Sequence, residues 1–152
     1  MTQGRAATRP DVLAQALPAG AVVRHEDAMT LEPEPRQVSS ARRFVGRVVP
    51  DLDEDTADTL QLLVSELVTN AVVHARTEVE VAVTLTDQDV VVSVHDLDLG
   101  RREQRPSDRD GGRGLGLVRN LAAGSGLVTH AGGGKTAWFR LHRTAVGAGG
   151  AA

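Results

Sequence analysis

The chain has 152 residues, a formal net charge of -3, 41% hydrophobic residues and no cysteine. That is one globular domain's worth of core, and it excludes a disulfide framework or a thiolate zinc site. The acidic excess argues against a phosphate-backbone binder, and Phe44, Trp138 and Phe139 are too few aromatics for a base-stacking platform.

Residues 1–20 have no clean period and read as a mobile extension. No apolar h-region follows Arg5 and Arg9, so a cytoplasmic protein without a secretory signal is expected. No run nears the roughly 20 apolar residues needed to cross a membrane. Ala21 to Leu31 suits an edge strand, ended by Pro33 and Pro35. Gln37 to Val49 reads as a helix: Val38, Ala41, Val45 and Val48 recur at helical spacing, and Pro50 stops it. Asp53 to about Ala75 is the clearest element. Three acids open it, where the helix dipole favours negative charge. A broad apolar stripe follows through Leu60, Leu63, Val64, Leu67, Val68, Ala71 and Val72.

Strands come next. Val79, Val81, Val83 and Leu85 alternate with polar residues, which predicts one buried and one wet face. Thr86 to Asp89 is a hairpin turn and Val90 to Asp96 the return strand. Residues 97–112 read as a long loop, of the kind that is functional or disordered in a compact domain. A short glycine-opened helix spans Leu115 to Ala123. Gly126 to His130 and Ala137 to His142 are the last strands. Residues 144–152 read as a disordered tail. The domain proper is thus 21–143. Its element order predicts an α+β two-layer sandwich, with a mixed, mostly antiparallel sheet and helices on one face.

Several residues could carry chemistry. Glu66 and Asn70 are four apart on the long helix and share a face, and His74 continues the row. By spacing alone this row suits a solvated helix edge as well as a binding wall. Asp96 is in phase with Val90, Val92 and Val94, so it ends the core-facing row, whereas Ser93 and His95 point the other way. An inward carboxylate needs hydrogen-bond donors, and an exocyclic amine such as that of adenine supplies one. A strand-end aspartate capping a turn is the alternative. Gly112, Gly114 and Gly116 surround Arg113 ahead of the short helix. Glycines let backbone approach an anion closely, and a helix N-terminus favours negative charge. A plain loop hinge would look the same.

Two motifs are decoys. Gly134-Lys135-Thr136 resembles the end of a P-loop, but Thr129 occupies the position of its first glycine. His25-Glu26 lacks the helical setting of a phosphoaccepting histidine.

Taken together, these motifs resemble the GHKL (Bergerat-fold) ATPase/kinase superfamily. The closest resemblance is to the small anti-sigma-factor serine kinases of the SpoIIAB and RsbW type and their actinobacterial paralogues. Leu62 to Ala75 resembles the N box, Val92 to Asp96 the strand into the G1 box, Gly112 to Leu117 the G2 box, and Gly134 to Leu141 the terminal strand. The resemblance implies ATP with Mg2+. It implies that Asn70 holds the metal, that Glu66 orients or deprotonates an attacking serine hydroxyl, and that Asp96 takes the adenine amine. Gly112, Arg113, Gly114, Gly116, His74 and Thr136 would also line the nucleotide. The implied partners are a sigma factor and a STAS-type anti-anti-sigma protein, with a possible homodimer and no direct contact with nucleic acid or membrane. The chain departs from the G1 pattern, because Asp98 stands where that box has its glycine. Strand phase also leaves open whether Lys135 or Thr136 faces the nucleotide.

Overall fold

A computed structural model of the chain describes residues 8–74, 77–96 and 113–143. In chain order the elements are α1 (Pro10–Ala16), β1 (His25–Leu31), α2 (Gln37–Val48), α3 (Glu54–His74), β2 (Val79–Leu85), β3 (Asp89–Asp96), α4 (Arg113–Leu121), β4 (Gly124–Thr129) and β5 (Lys135–His142). The loop 97–112, including Gly112, and the tail 144–152 lie outside the described residues.

The five strands form one sheet in the order β1-β2-β3-β5-β4, and every pairing is antiparallel. Helices α2, α3 and α4 pack on one face, giving the α+β sandwich that the element order predicts. Across that face α2 lies over β1 and β2, α3 is central over β3, and α4 flanks α3 towards β4. The core between the layers is almost wholly aliphatic. Leu60, Leu63, Val64, Leu67 and Val68 of α3 meet Val81, Val83, Val92, Val94 and Phe139 of the sheet. Burying each such side chain stabilises the fold by about 1.5–3 kcal/mol.

Local chemistry sets the ends of the elements. Asp53 caps α3: its Oδ1 accepts the Thr56 N–H at 2.9 Å, and Glu54 and Asp55 follow in the first turn. Thr86 closes the β2–β3 hairpin, its Oγ1 accepting the Asp89 N–H at 2.9 Å. Between β4 and β5, Gly133 and Gly134 take φ of 112° and 89°, a region open to glycine and costly for other residues.

The opposite face differs from the sequence expectation. Ala82, Thr84, Val91, Ser93 and Trp138 are buried there, so it is not wet. Part of its cover comes from the segment expected to be a mobile extension. Pro10 occupies the start of α1, where its missing N–H costs nothing. Val12 and Ala16 then pack, fully buried, on Val91, Val128 and Trp138. Trp138 lies flat over Gly126, where an added Cβ would come within 2.8 Å of the indole nitrogen. Periodicity misses α1 because it is only seven residues long and buries two side chains.

Candidate functional site

Glu66, Asn70 and His74 line one flank of α3. Gln61 and Ser65 lie on the other flank, where Gln61 Nε2 donates to the Arg42 carbonyl of α2 at 3.1 Å and Arg42 Nη1 donates to Ser65 Oγ at 3.4 Å. Successive residues turn by about 100°, so the Glu66–Asn70–His74 row faces away from α2, towards the α4 side. All three side chains are half-buried. Glu66 and Asn70 make no side-chain hydrogen bond or ion pair among the described residues. A carboxylate and an amide half withdrawn from water in this way are available to an incoming group. The shallow groove lined by Ser39, Arg42, Arg43, Gly46 and Gln61 lies on the α2 flank and is a separate feature.

Asp96 closes the same face of the sheet from below. It ends β3 opposite Val79, at the end of the sheet that the chain re-enters after α3. The residue is 2% exposed, so its inward orientation follows the strand phase. On the other side it is in register with Lys135 of β5, whose Nζ lies 3.5 Å from Asp96 Oδ2. Lys135 itself is partly exposed, and its long stem brings the charge to the rim of this face.

Thr136 is not part of this wall. It is in register with His95 and faces the reverse side of the sheet, where it is buried. Its Oγ1 lies 2.9 Å from His95 Nδ1 and 2.7 Å from His130 Nε2. Strand alternation puts neighbours on opposite faces, so the position on the site face belongs to Lys135.

The glycine segment also differs. Helix α4 begins at Arg113, two residues earlier than expected, so Gly114 and Gly116 lie within its first turns. The side-chain placement of Arg113 and the surroundings of Gly114 lie outside the described residues, as does Gly112. Among the described residues, a Cβ at Gly116 would meet nothing within 4 Å. The structure thus brings Glu66, Asn70 and His74 onto one flank beside α4, sets Asp96 in the sheet beneath the helix layer, and leaves Thr136 on the other side.

Strand phase turns His95 to the face opposite Asp96, as the structure shows. It is buried on the reverse face, and its pKa is pushed below the ordinary imidazole value, mainly by burial and then by Arg9 and His130. Nothing in its spacing signals this, since its partner Arg9 is 86 residues away in sequence.

An antiparallel sheet backed by helices, with a buried carboxylate at a strand end and a polar row on the central helix, makes an α+β sandwich with a candidate site along one helix flank. Residues 31–141 match the family model described as histidine kinase-like ATPase domain. The chain belongs to that family, which implies ATP, usually with Mg2+. No curated protein matches the chain. The residues present suit this ligand: Asp96 is a buried acceptor, and Asn70 offers an oxygen ligand to a hard cation.

Proposed function

We propose that the chain is an ATP-dependent protein serine kinase of the anti-sigma-factor type. It would hold a sigma factor and phosphorylate a serine on a STAS-type anti-anti-sigma protein. The observation that carries this reading is the placement of Glu66 one turn before Asn70 on α3, with neither side chain engaged by another described residue. Asp96 accepts the exocyclic amine of the base. Asn70 holds Mg2+, which when bound offsets the charge of the phosphates. Glu66 accepts the proton of the attacking serine hydroxyl as its oxygen displaces ADP from the terminal phosphorus. Incubation with Mg-ATP and candidate STAS proteins tests this. Phosphoserine on a STAS protein, lost in Glu66→Ala, is the expected result; no phosphoserine on any of them defeats the kinase assignment.

A second reading is a regulatory module that binds nucleotide and partners without transfer. The departure from the G1 pattern, with Asp98 where that box has its glycine, favours it. Calorimetric binding of ATP with no turnover in the presence of partners would select this reading.

A further inference from the structure

The reverse face of the sheet holds a chain of polar contacts whose hydrogen-bond direction is fixed at the Arg9 end. Arg9 Nη2 lies 2.9 Å from His95 Nε2. A guanidinium can only donate, so Nε2 must carry a lone pair and His95 is neutral with its proton on Nδ1. That N–H donates to Thr136 Oγ1 at 2.9 Å. The Thr136 hydroxyl meets His130 Nε2 at 2.7 Å, and His130 Nδ1 lies 3.4 Å from the Asp11 carboxylate, which can only accept. The two ends of the chain, Arg9 and Asp11, both belong to the segment that opens α1. A further buried bond, Thr8 Oγ1 to Thr84 Oγ1 at 2.7 Å, secures the same segment to β2.

The two imidazoles are not equivalent. His130 Nδ1 lies beside the Asp11 carboxylate. His95 faces Arg9, and a proton on its Nε2 would set two donors and two positive charges against each other. The rings meet edge to face with centroids 5.2 Å apart, so charge on either opposes charge on the other. Other groups bear on His95. Glu80 stands opposite it on β2, Lys135 accompanies Thr136 on β5, and Asp96 follows it on its own strand. The carboxylate of Asp96 and a backbone hydrogen bond with Lys135 favour the charged ring; burial, Arg9 and His130 outweigh them.

We propose that residues 8–16 form a latch over the reverse face that is released by a proton. Protonation of His95 turns Nε2 from an acceptor into a donor, breaks its bond with Arg9 and frees α1 from the sheet. Release uncovers the apolar strip of Val91, Val128 and Trp138. This device operates whether or not the opposite face handles nucleotide.

The chain has no cysteine, so one introduced thiol reports the latch. Ala16→Cys places it under α1, where residue 16 is buried. Gln15→Cys, at an exposed position, serves as the control that cancels the thiol's own pH dependence. The quantity read is the ratio of maleimide labelling rates, Ala16→Cys over Gln15→Cys. It should rise several-fold from pH 7.5 to 5.5. About tenfold is the ceiling, since one proton on a group with a free pKa of about 6.5 can do no more. In the His95→Gln background the ratio should be flat with pH. A flat ratio with His95 intact, or an equal rise without it, overturns the proposal. Arg9→Met, at an exposed position, gives an independent reading should His95→Gln not fold. It should raise the ratio at pH 7.5 and shrink the rise on acidification; an unchanged profile overturns the latch.

Discussion

The two faces of the sheet handle polar groups in opposite ways. Beneath α2, α3 and α4 the core is aliphatic, and polar side chains stand at its margin: Asp96 at a strand end, Glu66 and Asn70 on a helix flank. On the reverse face polar groups sit within the buried layer, where His95, Thr136 and His130 satisfy one another and the segment before α1. The first arrangement leaves Glu66 and Asn70 without a side-chain partner among the described residues. The second pairs His95, Thr136 and His130 with one another inside the fold. Both are built from adjacent residues of the same two strands, Asp96–Lys135 on one side and His95–Thr136 on the other. A shift of one residue along a strand therefore separates a position on the helix-covered face from one in the buried network of the reverse face.

The largest effects are expected on the open face. Glu66→Ala should lower phosphotransfer to a STAS partner by about 100- to 10,000-fold, the usual contribution of a positioned base. ATP affinity should stay within about twofold of wild type, as a calorimetric titration can check. Asn70→Ala should weaken Mg-ATP binding by roughly 10- to 100-fold, equivalent to about 1.4–2.7 kcal/mol. The loss should shrink when magnesium is chelated. Equal losses with and without the metal would remove Asn70 as its ligand.

Much of the open face was legible in the sequence, and little of the reverse one. The stripe from Leu60 to Val72 and the alternation in β2 and β3 are long patterns, and a long periodic pattern fixes both an element and its buried side. Asp96 could be oriented from its phase with Val92 and Val94 alone. The reverse face reads as wet from Glu80 and Thr84, yet Thr84, Ser93 and His95 are buried there. Polarity marks solvent only when no partner arrives from elsewhere in the chain. Here Thr8 and Arg9 arrive from 76 and 86 residues away, beyond the reach of any local pattern. Thr136 shows the limit of resemblance in the same way. The motif offers two neighbouring residues, and the register sets Lys135, not Thr136, on the face of Asp96.

Intermediate effects should appear on the reverse face. Thr136→Val keeps the shape of the side chain and removes the hydroxyl between two imidazoles. Leaving those buried groups without their partner should cost about 1–3 kcal/mol of stability in a denaturant titration. ATP affinity should not change, and a large loss of affinity would return Thr136 to the binding wall. His95 adds a pH dependence. Its folded pKa is depressed, so the unfolded chain binds more protons between the two values. Its contribution is complete above the unfolded value of about 6.5 and is lost as pH falls through the lowered one. Thermal midpoints should therefore drop from pH 7.5 to 5.5, and less so in His95→Gln.

The smallest effect on stability, and the sharpest test of the contrast, is expected at Lys135. Its ion pair with Asp96 has one partly exposed partner, and such pairs contribute about 0–1 kcal/mol. Lys135→Met keeps the stem and removes the charge, so unfolding should barely change. Nucleotide binding should change, because the ammonium and an incoming amine compete for one carboxylate. Once the competitor is gone, adenine nucleotides should bind severalfold more tightly. A uridine nucleotide lacks the exocyclic amine and should gain nothing, which separates competition at Asp96 from a general loss of positive charge. If both nucleotides weaken together, Lys135 acts on the phosphates instead. If neither changes, the residue in register with Asp96 is as structural as its neighbour Thr136, and the contrast between the two faces fails at the pair of positions where it is drawn most finely.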